Sequence, residues 1–116
     1  MKGAHIARSK LSVLMLLPGI GLSGCTDPAA EALTKGQQIW EGTCKVCHLN
    51  GIAGAPPMGN SAAWKPRIEK GEATLISHAL NGFTGNEGTM PPRGGKPALT
   101  DEDVTLAVRY MIHNSQ

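Results

Sequence analysis

Cys44-Lys45-Val46-Cys47-His48 is the stretch of this chain whose residue types and spacing can do chemistry. A C-x-x-C-H pentapeptide sets two thiols three residues apart, so that they reach the two vinyl groups of a haem as thioethers. The adjacent histidine then offers its imidazole to the iron from the same side. Three other uses of a cysteine pair compete. A thioredoxin-like C-x-x-C sits after a strand in an α/β fold, and no stretch here keeps strand alternation. Zinc needs four ligands, and Cys44, Cys47 and His48 have no second pair to join them. A disulfide between Cys44 and Cys47 leaves His48 without a role. The pattern therefore implies one haem c, bound covalently through Cys44 and Cys47, with His48 as an axial iron ligand.

The second axial ligand has five candidates: Met58, Met90, Met111, His78 and His113. Met111 shares the apolar face of the last helical stretch and reads as core. Met58 lies in the loop that leaves the proximal side. His113 is close to a fraying terminus, and His78 is expected to be exposed in mid-helix. Met90 sits in Gly88-Thr89-Met90-Pro91-Pro92, within a long irregular stretch that can pass close over the haem face. The two prolines restrict that stretch, and Met90 is the residue assigned to the iron.

The elements that must position these residues are helical. Leu33, Gly36, Ile39 and Trp40 recur at helical spacing over residues 31–43. A Gly/Pro-rich loop covers 51–59, and Asn60 or Ser61 can cap a short helix near 62–65, with Pro66 ending or kinking it. Residues 72–80 form another helical stretch, with Ala73, Ile76 and Leu80 on one face and Asn81-Gly82 as its stop. A loop rich in glycine and proline fills 83–97, long enough to be functional. Thr100-Asp101-Glu102-Asp103 opens the last helix with a capping hydroxyl and acids at the positive end of its dipole. Val104, Ala107, Val108 and Met111 follow at i, i+3, i+4 and i+7.

Composition narrows the function class. The chain has 116 residues, 41% of them apolar but only 3% aromatic: Trp40, Trp64, Phe83 and Tyr110. So little large apolar surface leaves one small domain short of core, and such domains draw on a disulfide framework, a metal or a cofactor. Three cysteines, an odd number, argue against the first. The 11 basic and 9 acidic residues include no basic run, so no nucleic acid is expected as a partner.

The start of the chain reads as an export signal. Lys2, Arg8 and Lys10 precede an apolar run from Leu11 to Leu22, too short for a membrane-spanning helix, which needs about 20 residues. Leu22-Ser23-Gly24-Cys25 is similar to a bacterial lipobox, which implies cleavage before Cys25 and its lipidation. The expected organisation is a lipoprotein signal peptide over 1–24, a lipidated Cys25 and short tether over 25–31, and a haem-binding domain over 32–116. Removing the signal leaves 8 basic against 9 acidic residues, so the precursor's positive charge carries no information about partners.

Beyond single motifs, the chain resembles the class I c-type cytochromes. Gly36-x-x-x-Trp40-x-x-x-Cys44-x-x-Cys47-His48, Met90-Pro91-Pro92 and a last helix with Tyr110 carry that resemblance. Gly54-Ala55-Pro56, Ala63-Trp64-x-Pro66-Arg67-Ile68, Ala79-Leu80-Asn81-Gly82 and Met90-Pro91-Pro92-Arg93-Gly94-Gly95 narrow it to the bacterial cytochrome c5 group, over residues 34–112. The resemblance implies an all-α class I fold of about four helices wrapped around one haem. It implies that Gly36 and Trp40 cross the last helix near Tyr110, and that the Pro56 carbonyl accepts a hydrogen bond from Nδ1 of His48. Members often carry a second cysteine pair after the methionine loop; Lys96-Pro97-Ala98-Leu99 stands there instead. Trp64 either fills core beside the haem or, with Arg67, donates to a haem propionate.

With His48 and Met90 on the iron, no site remains for oxygen or peroxide, and one-electron transfer is the chemistry left. The expected protein is a monomeric, membrane-anchored periplasmic electron carrier between respiratory redox partners, and no enzyme. The alternatives are a haem subunit of an oxidoreductase complex, or a sensor or peroxidase if Met90 is labile.

Overall fold

A computed structural model describes residues 26–116, together with Gly3 and Gly24; Cys25 and the expected signal segment lie outside the described residues. Helix α1 spans Pro28–Ile39. It begins three residues before the expected start because Asp27 caps it, its carboxylate accepting from the Ala29 amide at 3.0 Å, and Pro28 supplies the preset φ of a first turn. Residues 28–31 of the expected tether are therefore helical. The chain continues without a break through a π-turn, Trp40–Cys44, into α2, Lys45–His48. The widened turn lies directly before the C-x-x-C-H motif, a setting in which π-bulges are frequent.

Asn60 caps α3, Ser61–Ile68, by accepting from the Ala63 amide at 3.1 Å. Pro66 neither ends nor follows this helix but sits inside it. Its missing amide falls late in a two-turn helix, where few carbonyls depend on it. Helix α4, Glu72–Asn81, buries a face through Leu75, Ile76, Ala79 and Leu80, whereas Ala73 is exposed, contrary to expectation. The 83–97 stretch is not wholly irregular. Strands β1, Phe83–Thr84, and β2, Thr89–Met90, pair antiparallel with Phe83 opposite Met90. Helix α5, Asp101–His113, opens with a reciprocal capping box between Thr100 and Asp103.

Counting the α1–π–α2 run as one, the described residues form four helices joined by loops. Two apolar clusters hold them. Ala79, Val104, Val108 and Ile112 join α4 to α5, with Met90 and Leu99 packed against them. Trp40, Trp64 and Met111 join the α1–π–α2 run, α3 and α5, with Met58 and Tyr110 at the edge. The α1–α5 crossing depends on Gly36. A Cβ there would strike the Leu106 carbonyl oxygen and come within 2.9 Å of the Tyr110 Cβ. Beside this contact the rings of Trp40 and Tyr110 lie 6.0 Å apart at 52°. Among the described residues no helix is long and apolar enough to cross a membrane.

Gly36→Ala should therefore destabilise the protein by about 1–3 kcal/mol through overpacking. That outweighs the roughly 1 kcal/mol of helix propensity which alanine brings. Gly42, whose Cβ would meet nothing within 4 Å, is the control, and Gly42→Ala should be neutral or mildly stabilising. Denaturant unfolding followed by circular dichroism checks this; equal midpoints for the two variants would show that the crossing tolerates a side chain.

Candidate haem site

The pentapeptide motif, the α3–α4 region and the β1–β2 hairpin enclose a cavity of about 570 Å³. Cys44, Cys47, His48, Pro56, Arg67 and Met90 are among its lining residues, and Trp64 completes its wall. Every residue expected at the site, Cys25 apart, therefore borders one space. Helix α2 puts Cys44, Cys47 and His48 on one wall within a single turn and its approach. The hairpin brings Met90 to the same cavity from a segment more than 40 residues later in the chain.

His48 is buried, and its Nδ1 lies 2.9 Å from the Pro56 carbonyl oxygen. A carbonyl only accepts, so Nδ1 carries the proton and Nε2 keeps a free lone pair. Burial holds the His48 pKa below its ordinary value; the Pro56 hydrogen bond opposes this and the Arg67 charge adds to it. The ring is therefore neutral at neutral pH, the form a metal needs. Cys44 and Cys47 are free of any disulfide. Burial pushes the Cys44 thiol up to about 11, with a smaller push from Cys47, so it remains protonated.

Trp64 is buried with its ring 6.1 Å from that of His48, and its Nε1 donates to the Pro57 carbonyl at 2.8 Å. Its one N–H is thus engaged within the chain, and its ring packs in the core cluster beside His48. Arg67 donates through Nη1 to the Ala63 carbonyl at 2.6 Å and through Nη2 to Glu87 at 2.9 Å.

The other candidate ligands separate clearly. Met58 packs at the edge of the Trp40–Trp64–Met111 cluster and does not line the cavity. Met111 lines it but is buried as core. His113 is exposed at the end of α5. His78 is not exposed as expected: it is half-buried, borders the cavity and stacks on Phe83 at 4.0 Å and 19°. Sequence reasoning also passed over Glu87 at the cavity rim. The signal available for that turn was Gly85-Asn86-Glu87-Gly88 between Phe83-Thr84 and Thr89, a turn cluster between β-favouring residues.

These groups fit a haem. The wall is predominantly apolar, two thiols and a neutral imidazole converge on it, and the Thr43 hydroxyl, buried at its edge, has no hydrogen-bond partner among the described residues. Among the described residues no cluster of three His, Cys, Asp or Glu side chains is arranged to hold a metal ion by itself.

Comparison with known proteins agrees. The family model described as cytochrome c oxidase, cbb3-type, subunit III matches residues 31–111. Cytochrome c-555 of Chlorobaculum thiosulfatiphilum is 41% identical over 81 residues, covering 70% of this chain and 94% of that protein. Cytochrome c5 of Ectopseudomonas mendocina is 33% identical over 70 residues, 59% of this chain and 76% of that one. Among solved structures, a chain from the electron transfer complex of nitrite reductase with cytochrome c superposes with a TM-score of 0.64 at 34% identity, covering 78% of this chain and 98% of its own. The chain belongs to the cytochrome c family: it is a monohaem electron carrier of the class I fold, not an enzyme, and holds haem c through Cys44 and Cys47.

Proposed function

We propose that this protein is a periplasmic one-electron carrier, tethered to a membrane through lipid on Cys25, with its iron held between His48 and Met90. The observation that carries the ligand assignment is the shared cavity: Met90 reaches it from the hairpin, opposite in chain position to a His48 already oriented by Pro56. Bound haem supplies a reversible Fe(III)/Fe(II) couple. The chain's residues do the rest. His48 lends Nε2 while Pro56 fixes the ring and raises its basicity. Met90 contributes a soft sulfur that favours the ferrous state and raises the potential. Trp64 and the apolar clusters exclude water, which also disfavours the more highly charged oxidised state. Two fixed ligands leave electron transfer as the work of the site.

The lipid anchor rests on sequence, on Leu22-Ser23-Gly24-Cys25 after a short apolar run. Two or three acyl chains hold a protein firmly where one does so marginally, at about 0.8 kcal/mol per buried methylene. A second reading, a haem subunit resident in an oxidoreductase complex, is favoured by the match to an oxidase subunit family. Mild detergent extraction and sizing of the native protein separates the two: a carrier leaves its partners, a subunit co-elutes with them in fixed ratio.

Three outcomes test the proposal. Met90→Ala should abolish the weak near-infrared sulfur-to-iron(III) band, admit carbon monoxide, and lower the potential by on the order of 100 mV, within the ~0.8 V that axial ligands span. Met58→Ala should leave all three as they were; the reverse pattern would move the ligand to Met58, and a wild-type haem open to carbon monoxide would favour a sensor or peroxidase. Cys47→Ala, made alongside haem-attachment machinery, should yield little holoprotein and lose most helical circular dichroism. Cys25→Ser should be found among soluble periplasmic proteins or stay unprocessed; a mature-sized mutant in washed membranes would refute the lipid anchor.

A further inference from the structure

The hairpin that carries Met90 meets the loop behind His48 backbone to backbone. Residues Ile52–Gly54 form a 3₁₀ turn just after the histidine and before Pro56. Gly85–Gly88 form the hairpin tip, closed by the Gly85 amide donating to the Gly88 carbonyl at 2.9 Å. A Cβ on Gly54 would overlap the Glu87 carbonyl, and a Cβ on Gly88 would overlap the Ala53 carbonyl. The interlock is reciprocal, and each partner admits only glycine. Ala53, Gly54, Glu87 and Gly88 all lie on the cavity wall.

A third element joins this contact. Arg67 is fixed to α3 by its bond to the Ala63 carbonyl and reaches out to Glu87 at 2.9 Å. The Glu87 side chain is 68% exposed, so the ion pair is screened and contributes little beside the backbone interlock. At the other end of the hairpin, Phe83 stands opposite Met90 and stacks on His78 of α4. The stem is thus held independently of the tip.

We propose that the 53–54/87–88 interlock, with Arg67–Glu87, is a clasp that ties the distal-ligand hairpin to the proximal loop and governs how often Met90 leaves the iron. The proposal rests on Met90 being the second iron ligand. Gly54, Gly88 and Glu87 touch no ligand atom and are positioning residues. An added ligand such as imidazole enters only when Met90 has swung away, so its rate of entry reports the population of the opened hairpin.

Imidazole binding to the oxidised, full-length holoprotein, measured by stopped flow, is the test. Gly88→Ala should speed entry by about tenfold or more, since the added Cβ forces the loops apart. Glu87→Ala, which keeps the backbone interlock, should speed it about twofold to fivefold, as loss of an exposed ion pair predicts. In both variants amide exchange should rise over residues 83–90 and stay unchanged over 101–113. The near-infrared band should persist at neutral pH, because the resting ligand is still Met90. Gly42→Ala should match the wild type. If Gly88→Ala fails to fold, the Glu87→Ala rate and exchange pattern decide. Wild-type entry rates in both variants, with the band present, would overturn the clasp and leave the ligand assignment standing. A uniform rise in exchange over 101–113 would make the contact merely structural and also overturn it. Absence of the band in the wild type would overturn the ligand assignment and the clasp with it.

Discussion

The cavity is the constraint on which every other packing decision depends. Among the described residues eight apolar side chains are buried, and four of them, Trp64, Ala79, Val108 and Met111, line a space of about 570 Å³. A polypeptide with four aromatic residues cannot close such a space by shifting its own side chains. The helices are therefore placed to bracket a large, flat, apolar group. The covalent attachment of haem through Cys44 and Cys47 makes that group part of the core, so folding and cofactor retention become one problem.

Around this space the helices divide the labour. The α1–α5 crossing at Gly36 is a contact of backbone with backbone, tight enough to fix the direction in which the π-turn and α2 emerge. That direction decides where Cys44, Cys47 and His48 point. Helix α5 closes the far side with Val104, Val108 and Ile112 in one cluster and Met111 in the other. Its last turn is tied down by Ser115, whose hydroxyl accepts from the Gly59 amide at 3.0 Å. One end of the molecule thereby steadies the loop that carries Pro56. Orientation of the His48 ring rests on a chain of contacts that begins at the C-terminus.

Much of this was legible in the sequence because its determinants are local. A thiol pair and a histidine within one helical turn need no knowledge of the fold, whereas the crossing of Gly36 and Trp40 with the last helix near Tyr110 came only from the resemblance to the class I cytochromes. What escaped the sequence was settled by tertiary context. The two-residue strands around Phe83 and Met90 are too short for periodicity to register. His78 looked exposed because its helix face was read from α4 alone, whereas Phe83, from the hairpin, covers it. The Trp64 indole could fill core or donate to a propionate, and its bond to the Pro57 carbonyl is a product of how α3 folds back onto the preceding loop. Asp27 capping α1 was visible in principle, but the small residues after it read equally well as a tether.

The backbone itself carries a last piece of the design. Among the described residues two non-glycine residues, Ala53 at φ 54° and Arg93 at φ 53°, take the left-handed conformation, which costs an L-residue roughly 1–2 kcal/mol. Each lies in a loop that serves one face of the cavity: Ala53 three residues before Pro56, Arg93 three residues after Met90. Neither strain is free to relax. Ala53 is wedged against Gly88, and the Arg93 guanidinium donates to the Leu99 carbonyl at 2.9 Å while pairing with Asp101 at the start of α5. Strained backbone persists where its surroundings over-determine it, and such sites tend to be functional. Here both strained turns are tied to other parts of the chain. A carrier gains from that, because a site whose ligands do not move on a change of iron charge has little to reorganise, and the folding energy of the helices is what holds them still.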